Sequence, residues 1–263
     1  MSRISNTFSL LKSKDKKALI PFVTAGDPSA EMTKKILHQL VDSGADMIEL
    51  GIPFSDPMAD GPVIQRASER ALANNVGIRK TFEIAKEFRR NDQNTPLILM
   101  GYANPIEAIG FEEFLSLCKE ADIDGIITVD YPPEESQDYV SKLKENDIDA
   151  IFLIAPTTEK ERIQQIIKQA TGFLYYVSLK GVTGAQNIDI DQVKNRVNEI
   201  KSLTNLPIGV GFGVRDPETA KAVASFADGI VIGSRIIQEI EKSNENNMLS
   251  DIAKIIKSIR EVI

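Results

Sequence analysis

Residues 18–51 read ALIPFVTAGDPSAEMTKKILHQLVDSGADMIELG, and the order of patterns in this stretch decides the fold class. Its two ends, ALIPFVT (18–24) and ADMIELG (45–51), are short, almost continuously apolar runs with several β-branched residues. A strand with one wet face alternates apolar and polar side chains, whereas continuous runs belong to parallel strands covered on both faces. Between them the pattern turns helical: Met32, Ile36, Leu37, Leu40 and Val41 share one stripe, and Gly44 lies just past its end. Asp27-Pro28-Ser29 reads as the helix start, with Asp27 as the cap and a proline whose missing N–H is harmless in the first turn. His38 falls off the apolar stripe and is expected to face solvent. The stretch is one βαβ unit.

Outward from it the unit recurs. Six more runs follow: PLILMGY (96–102), IDGIITV (123–129), DAIFLIA (149–155), FLYYVS (173–178), PIGVGFG (207–213) and DGIVIGS (228–234), which makes eight. Most are one βα unit apart. The second and third are about two units apart, and Gly77 divides the helical stretch between them. Tyr131-Pro132-Pro133-Glu134 is read as the opening of the fourth helix and Asp216-Pro217-Glu218 as that of the seventh. A last helix over about 246–262 carries Met248, Ile252, Ile255, Ile256 and Ile259, and Cys118 sits among Phe114, Leu115 and Leu117 as a small packing residue. The pattern predicts an α/β protein, a (β/α)8 TIM barrel spanning 1–263 as a single domain. One extra helix precedes the first strand, and a short one, Arg235 to Ile240, follows the eighth. A doubly wound open sheet would place Gly-x-Gly-x-x-Gly after the first strand, and VTAGDPSA (23–30) lacks it.

Composition narrows the chemistry. The 263 residues carry 31 Lys and Arg against 38 Asp and Glu, a net charge of −7, which disfavours nucleic acid as a partner. No apolar run approaches the ~18 residues of a membrane span, and the start MSRISNTFSLLKSKDKK lacks a signal-peptide core. A single cysteine allows no internal disulfide and a single histidine no His-cluster metal site. A soluble protein of a reducing compartment is expected, working with carboxylates, hydroxyls, lysines or backbone groups.

Glu49 stands out because it lies between Met47, Ile48, Leu50 and Ile52 on a strand expected to be covered on both faces. Two readings are open. Either it pairs with a lysine or arginine of the next loop, or burial raises its pKa and makes it a proton donor and acceptor. The loop PFSDPMADGP (53–62) adds Asp56 and Asp60, each of which also reads as a turn former, Asp60 also as a helix cap. Three glycine segments, Gly181-Val-Thr-Gly184, Gly211-Phe-Gly213 and Gly233-Ser234, follow the sixth, seventh and eighth strands. Loops there, with the N-terminus of a short extra helix, form the usual phosphate seat of such barrels. Arg215 and Arg235 are close enough in sequence to add charge.

Over essentially its whole length the chain resembles the tryptophan synthase alpha subunit family. The resemblance is carried by IELGIPFSDPMADGPVIQ (48–65), GYANPI (101–106), VSLKGVTGA (177–185), GFGV (211–214) and Gly233-Ser234. It implies a carbon–carbon lyase that splits indole-3-glycerol phosphate into indole and glyceraldehyde 3-phosphate by a retro-aldol step. It also implies a cytoplasmic enzyme without metal or cofactor of its own. Indole would pass to a beta subunit that carries pyridoxal phosphate and makes L-tryptophan from L-serine, in an assembly of two alpha and two beta chains. By the same resemblance Glu49 is the acid and base at the indole ring, and Asp60 accepts the ring N–H. Phe22, Met100, Ile127 and Phe212 line the indole pocket; Tyr175 is a secondary binding residue near the carboxylates; Thr183 and Gly184 belong to a closing loop; Gly213, Gly233 and Ser234 seat the phosphate. Asp56 and Asn104 are the implied partner contacts. Two other readings are a chain that chiefly gates its partner, and a different phosphate-sugar barrel enzyme, to which the 53–62 loop is poorly suited.

Overall fold

A computed structural model describes residues 1–177, 189–211 and 213–263. The first half contains α1 (Arg3–Ser13), β1 (Ala18–Thr24), α2 (Ala30–Asp42), β2 (Ile48–Gly51), α3 (Pro62–Ala73), α4 (Ile78–Arg89), β3 (Leu97–Gly101), α5 (Ala103–Ile109), α6 (Phe111–Glu120) and β4 (Gly125–Thr128). There follow α7 (Gln137–Glu145), β5 (Asp149–Ala150), β6 (Phe152–Ile154), α8 (Lys160–Gln169), β7 (Leu174–Val177), α9 (Ile190–Lys201), β8 (Ile208–Gly211), α10 (Pro217–Ala224), β9 (Gly229–Ile232), α11 (Ser234–Lys242) and α12 (Met248–Arg260). All strand pairs are parallel, in the order β5-β4-β3-β2-β1-β9-β8-β7-β6. The fifth apolar run is thus not one strand. It breaks at Ile151, its first piece pairing with β4 and its second with β7. Because one short segment holds both pieces, it closes the ring, and the Ile151 N–H still donates to the Ile126 carbonyl at 3.0 Å. The TIM barrel is the observed fold.

α1 plugs the N-terminal mouth with Ile4, Phe8 and Leu11, all buried. Gly125 makes this possible: a Cβ there would meet Ile4 at 2.9 Å and Ile151 at 3.0 Å. The same rim is fastened by aspartates. The Leu19 N–H donates to Asp46 at 2.8 Å, the Leu97 N–H to Asp124 at 2.8 Å, and the Ile208 N–H to Asp228 at 2.9 Å. Each carboxylate precedes one strand and satisfies an N–H near the start of the strand before it, so these three buried donors are not orphaned. Asp124 also binds Arg3 at 2.7 Å and the buried Arg89.

Three local expectations are corrected. The cap of α2 is Ser29, whose hydroxyl accepts the Met32 N–H, because Asp27 is fully buried and committed to Arg70 of α3. The fourth-strand helix starts at Gln137; Pro132 instead accepts a turn hydrogen bond from the Glu135 N–H. His38 is half-buried, its ring centroid 5.0 Å from that of Phe88 of α4, since α4 packs beside α2. Asp216 does cap α10, accepting the Thr219 N–H at 2.8 Å. Cys118 is fully buried. Among the described residues no helix is long and apolar enough to cross a membrane.

Candidate active site

The C-terminal ends of the strands gather most of the expected residues. Glu49 is 0% exposed, and neither of its carboxylate oxygens has a hydrogen-bond partner among the described residues. No ion pair reaches it among the described residues, so the lysine- or arginine-paired reading does not describe this side chain. Desolvation of the charged form pushes its pKa well above the ordinary carboxylate range.

Asp60, half-buried in the loop after β2, is pushed up to about 6 by burial, with a hydrogen bond from Tyr102 working against the shift. The helix cap of α3 is Gly61, which leaves the Asp60 side chain for other work. Its backbone is pinned, the carbonyl accepting from Gln65 Nε2 at 2.8 Å and the N–H donating to Pro57 at 3.0 Å. Tyr102 binds this loop twice, since its hydroxyl oxygen also accepts the Ala59 N–H at 3.1 Å. In the sequence Tyr102 enters only as the end of the run PLILMGY (96–102) and within GYANPI; its place one residue beyond β3 is the available signal. Thr24 at the end of β1 was missed as well, though its buried hydroxyl has no partner and borders the pocket at Asp60.

Tyr175 on β7 is nearly fully buried, and burial raises its pKa first, with the charges of Glu49 and Asp60 adding to the shift. Three titratable groups therefore share one electrostatic environment. The Tyr175 hydroxyl lies where a Cβ on Gly211 would stand, 2.1 Å from it. Phe22 is similarly accommodated by Gly51, whose Cβ would sit 2.6 Å from the ring, while a Cβ on Gly233 would come 3.4 Å from the base of the same side chain. Phe22 thus spans from the Glu49 strand to the start of α11. Phe22 and Met100 line the pocket beside Asp60, together with Ile52, Ile64 and Val129. Ile127 is fully buried on β4, in register with Met100.

Gly213 has φ +88°, a left-handed conformation that favours glycine. Gly233 precedes α11 and Ser234 is its first residue, so the leading N–H groups of that helix have no intrahelical acceptor. Arg235 is engaged within α11, its guanidinium on Glu239 at 2.6 Å. Asp56 and Asn104 are both exposed, Asn104 in the first turn of α5 and not in a loop. Thr183, Gly184 and Phe212 lie outside the described residues. Among the described residues no group of three His, Cys, Asp or Glu side chains is arranged to hold a metal.

Comparison with known proteins matches residues 8–262 to the family model described as tryptophan synthase alpha chain. The chain is similar to tryptophan synthase alpha chains of Janthinobacterium sp., 55% identical over 100% of this chain and 99% of the relative, and of Nitrosomonas europaea, 51% identical over 100% and 96%. Among solved structures it superposes on tryptophan synthase subunit alpha of Legionella pneumophila with TM-score 0.92 at 44% identity, covering 100% of this chain and 98% of that one. It also superposes on Mycobacterium tuberculosis tryptophan synthase with TM-score 0.91 at 31% identity, over 100% and 98%. Family model, full-length relatives and solved structures agree: the chain belongs to the tryptophan synthase alpha chain family.

Proposed function

We propose that Glu49 and Asp60 carry the chemistry of this family in the present chain, with residues 1–263 acting as one catalytic domain. The family's reaction is the retro-aldol cleavage of indole-3-glycerol phosphate to indole and glyceraldehyde 3-phosphate. The observation that carries the reading is the fully buried Glu49 carboxyl with no hydrogen-bond partner on either oxygen among the described residues. A carboxyl kept neutral by its surroundings can give its proton at working pH.

Glu49 donates that proton to the indole ring carbon that bears the glycerol chain. Positive charge then develops on the ring nitrogen, and the Asp60 carboxylate accepts the N–H and stabilises it. Ionised Glu49, now uncomfortable among apolar walls, takes the proton of the side-chain hydroxyl next to the bond. The O–H electron pair becomes the aldehyde carbonyl, the carbon–carbon pair returns to the ring, and neutral indole leaves. The indole is assigned to Phe22, Met100, Ile127 and Phe212, with Tyr175 a further binding residue near the carboxylates, and Thr183 and Gly184 are assigned to substrate binding. Gly213, Gly233 and Ser234 take the phosphate, where bare amides let an acidic protein hold an anion.

The alpha chain carries no cofactor. The indole goes to a pyridoxal-phosphate beta subunit in an assembly of two alpha and two beta chains. We place the docking surface at the loop after β2 and the start of α5, around Asp56 and Asn104. Met58 in that loop is 80% exposed, an apolar side chain suited to burial by a partner. The enzyme is assigned to the cytoplasm, with the rest of bacterial amino-acid synthesis. Incubating the pure chain with indole-3-glycerol phosphate, with and without a beta chain, tests the reading. Indole should form in both, faster with the partner; beta activation without indole turnover would make the chain a gate and not a lyase.

A further inference from the structure

Two helices beside β1 each begin at one half of the site. α3 starts two residues after Asp60, and α11 starts at Ser234. They are joined through charge. The fully buried Asp27, in the loop after β1, receives Nε and Nη2 of Arg70 at 2.7 and 2.9 Å. The remaining nitrogen, Nη1, reaches Glu241 near the end of α11 at 3.1 Å. Glu241 also receives Nε and Nη2 of Arg66 at 2.6 and 2.8 Å. A planar guanidinium fixes distance and orientation toward both partners at once, which a lysine ammonium cannot do. The β1 loop is further pinned to the end of α3. Asn74 Nδ2 donates to the Pro28 carbonyl at 2.6 Å, and Gly26 leaves room for Val76, which a Cβ there would meet at 2.5 Å. None of these four charged residues borders the pocket at Asp60, so none of them touches the reacting atoms.

We propose that Arg70 is a positioning residue for the cleavage: gripped by Asp27 and bound to Glu241, it sets the spacing between the Asp60 loop and the anion seat at Ser234. The proposal rests on the assignment of Asp60 and Ser234 given above. A substrate with an indole at one end and a phosphate at the other needs that spacing held, because a misplacement of ~1 Å can cost ~100-fold in rate.

The test measures KM and kcat for indole-3-glycerol phosphate in the alpha–beta complex, with inorganic phosphate as a competitive inhibitor that probes the seat. Arg70→Met should raise KM and the inhibition constant of phosphate together, each by about tenfold, with a smaller fall in kcat. Arg70→Lys should recover only part of the loss. Arg3→Met, which strips ion pairs from the opposite rim, is the stability control: it should lower Tm and leave the inhibition constant unchanged. If Arg70→Met does not fold, Glu241→Gln carries the test and should weaken phosphate several-fold. Variants that fold with KM and phosphate inhibition within twofold of the parent overturn the proposal while leaving the site intact. A parent enzyme on which phosphate does not compete overturns the Ser234 seat itself, and the proposal with it.

Discussion

A carboxyl group without partners is tolerated in an apolar interior only while it keeps its proton. In the unfolded chain Glu49 is an ordinary acid that ionises near pH 4.3; in the folded chain its pKa is well above that. Between the two values the unfolded state gives up the proton and the folded state does not, so stability declines as pH rises. Glu49→Gln removes this penalty. The variant is expected to melt above the parent at pH 8, with the gap closing by pH 5, while indole release falls by at least ~10²–10⁴-fold. Melting below the parent at pH 8 would show that the carboxylate has a partner after all. Asp60 gives the opposite limb. It must be ionised to receive the ring N–H, so kcat/KM should fall below pH about 6. The Tyr102 hydrogen bond holds that pKa down, so Tyr102→Phe should move the acid limb of a kcat/KM profile to higher pH. At this scale sequence reading succeeded where the signal was local and failed where it was not. Glu49 is conspicuous because its own neighbours in the chain are apolar. Asp27 looked like a cap because its partner, Arg70, is 43 positions away, and an aspartate beside Pro-Ser reads the same in either role.

Elements were legible to the extent that their apolar pattern was continuous. Seven of the eight runs are single strands, and the helix starts at Ser234 and after Asp216 follow from cap and dipole chemistry. The break at Ile151 left no mark, since DAIFLIA is as apolar across the break as on either side of it. Nor did α5 announce itself in GYANPI, where the proline lies in the first turn of the helix. Two substitutions test the elements. Asp216→Ala removes the side-chain acceptor that caps α10 and should cost about 1 kcal/mol in denaturant unfolding. Gly51→Ala places a methyl against the Phe22 ring and should cost about 1–3 kcal/mol. It should also raise KM, because Phe22 lines the pocket beside Asp60. An unchanged KM would separate Phe22 from the substrate.

The molecule as a whole divides its labour between two rims. The candidate site lies at the C-terminal ends of the strands, and the N-terminal rim is fastened by Asp46, Asp124 and Asp228 and stoppered by α1. That division is typical of the fold class, and through it the eight apolar runs of the sequence point to the rim on which the candidate site is expected. Asp124→Ala removes the nearer, buried carboxylate of the Arg89 guanidinium, leaving it Asp122 at 3.9 Å, and should cost about 3 kcal/mol. Turnover at 25 °C, measured well below the melting range, should be retained; a large loss of turnover in the folded variant would show that the rims communicate. Cys118 offers a way to watch the barrel open. It is the sole sulfhydryl of the chain, entirely enclosed in α6, and burial makes its thiolate harder still to form. Reagents such as Ellman's disulfide can reach it only through a fluctuation that parts α6 from the sheet. The labelling rate of the unmodified enzyme, followed against urea, therefore reports the free energy and the extent of that opening without any added probe.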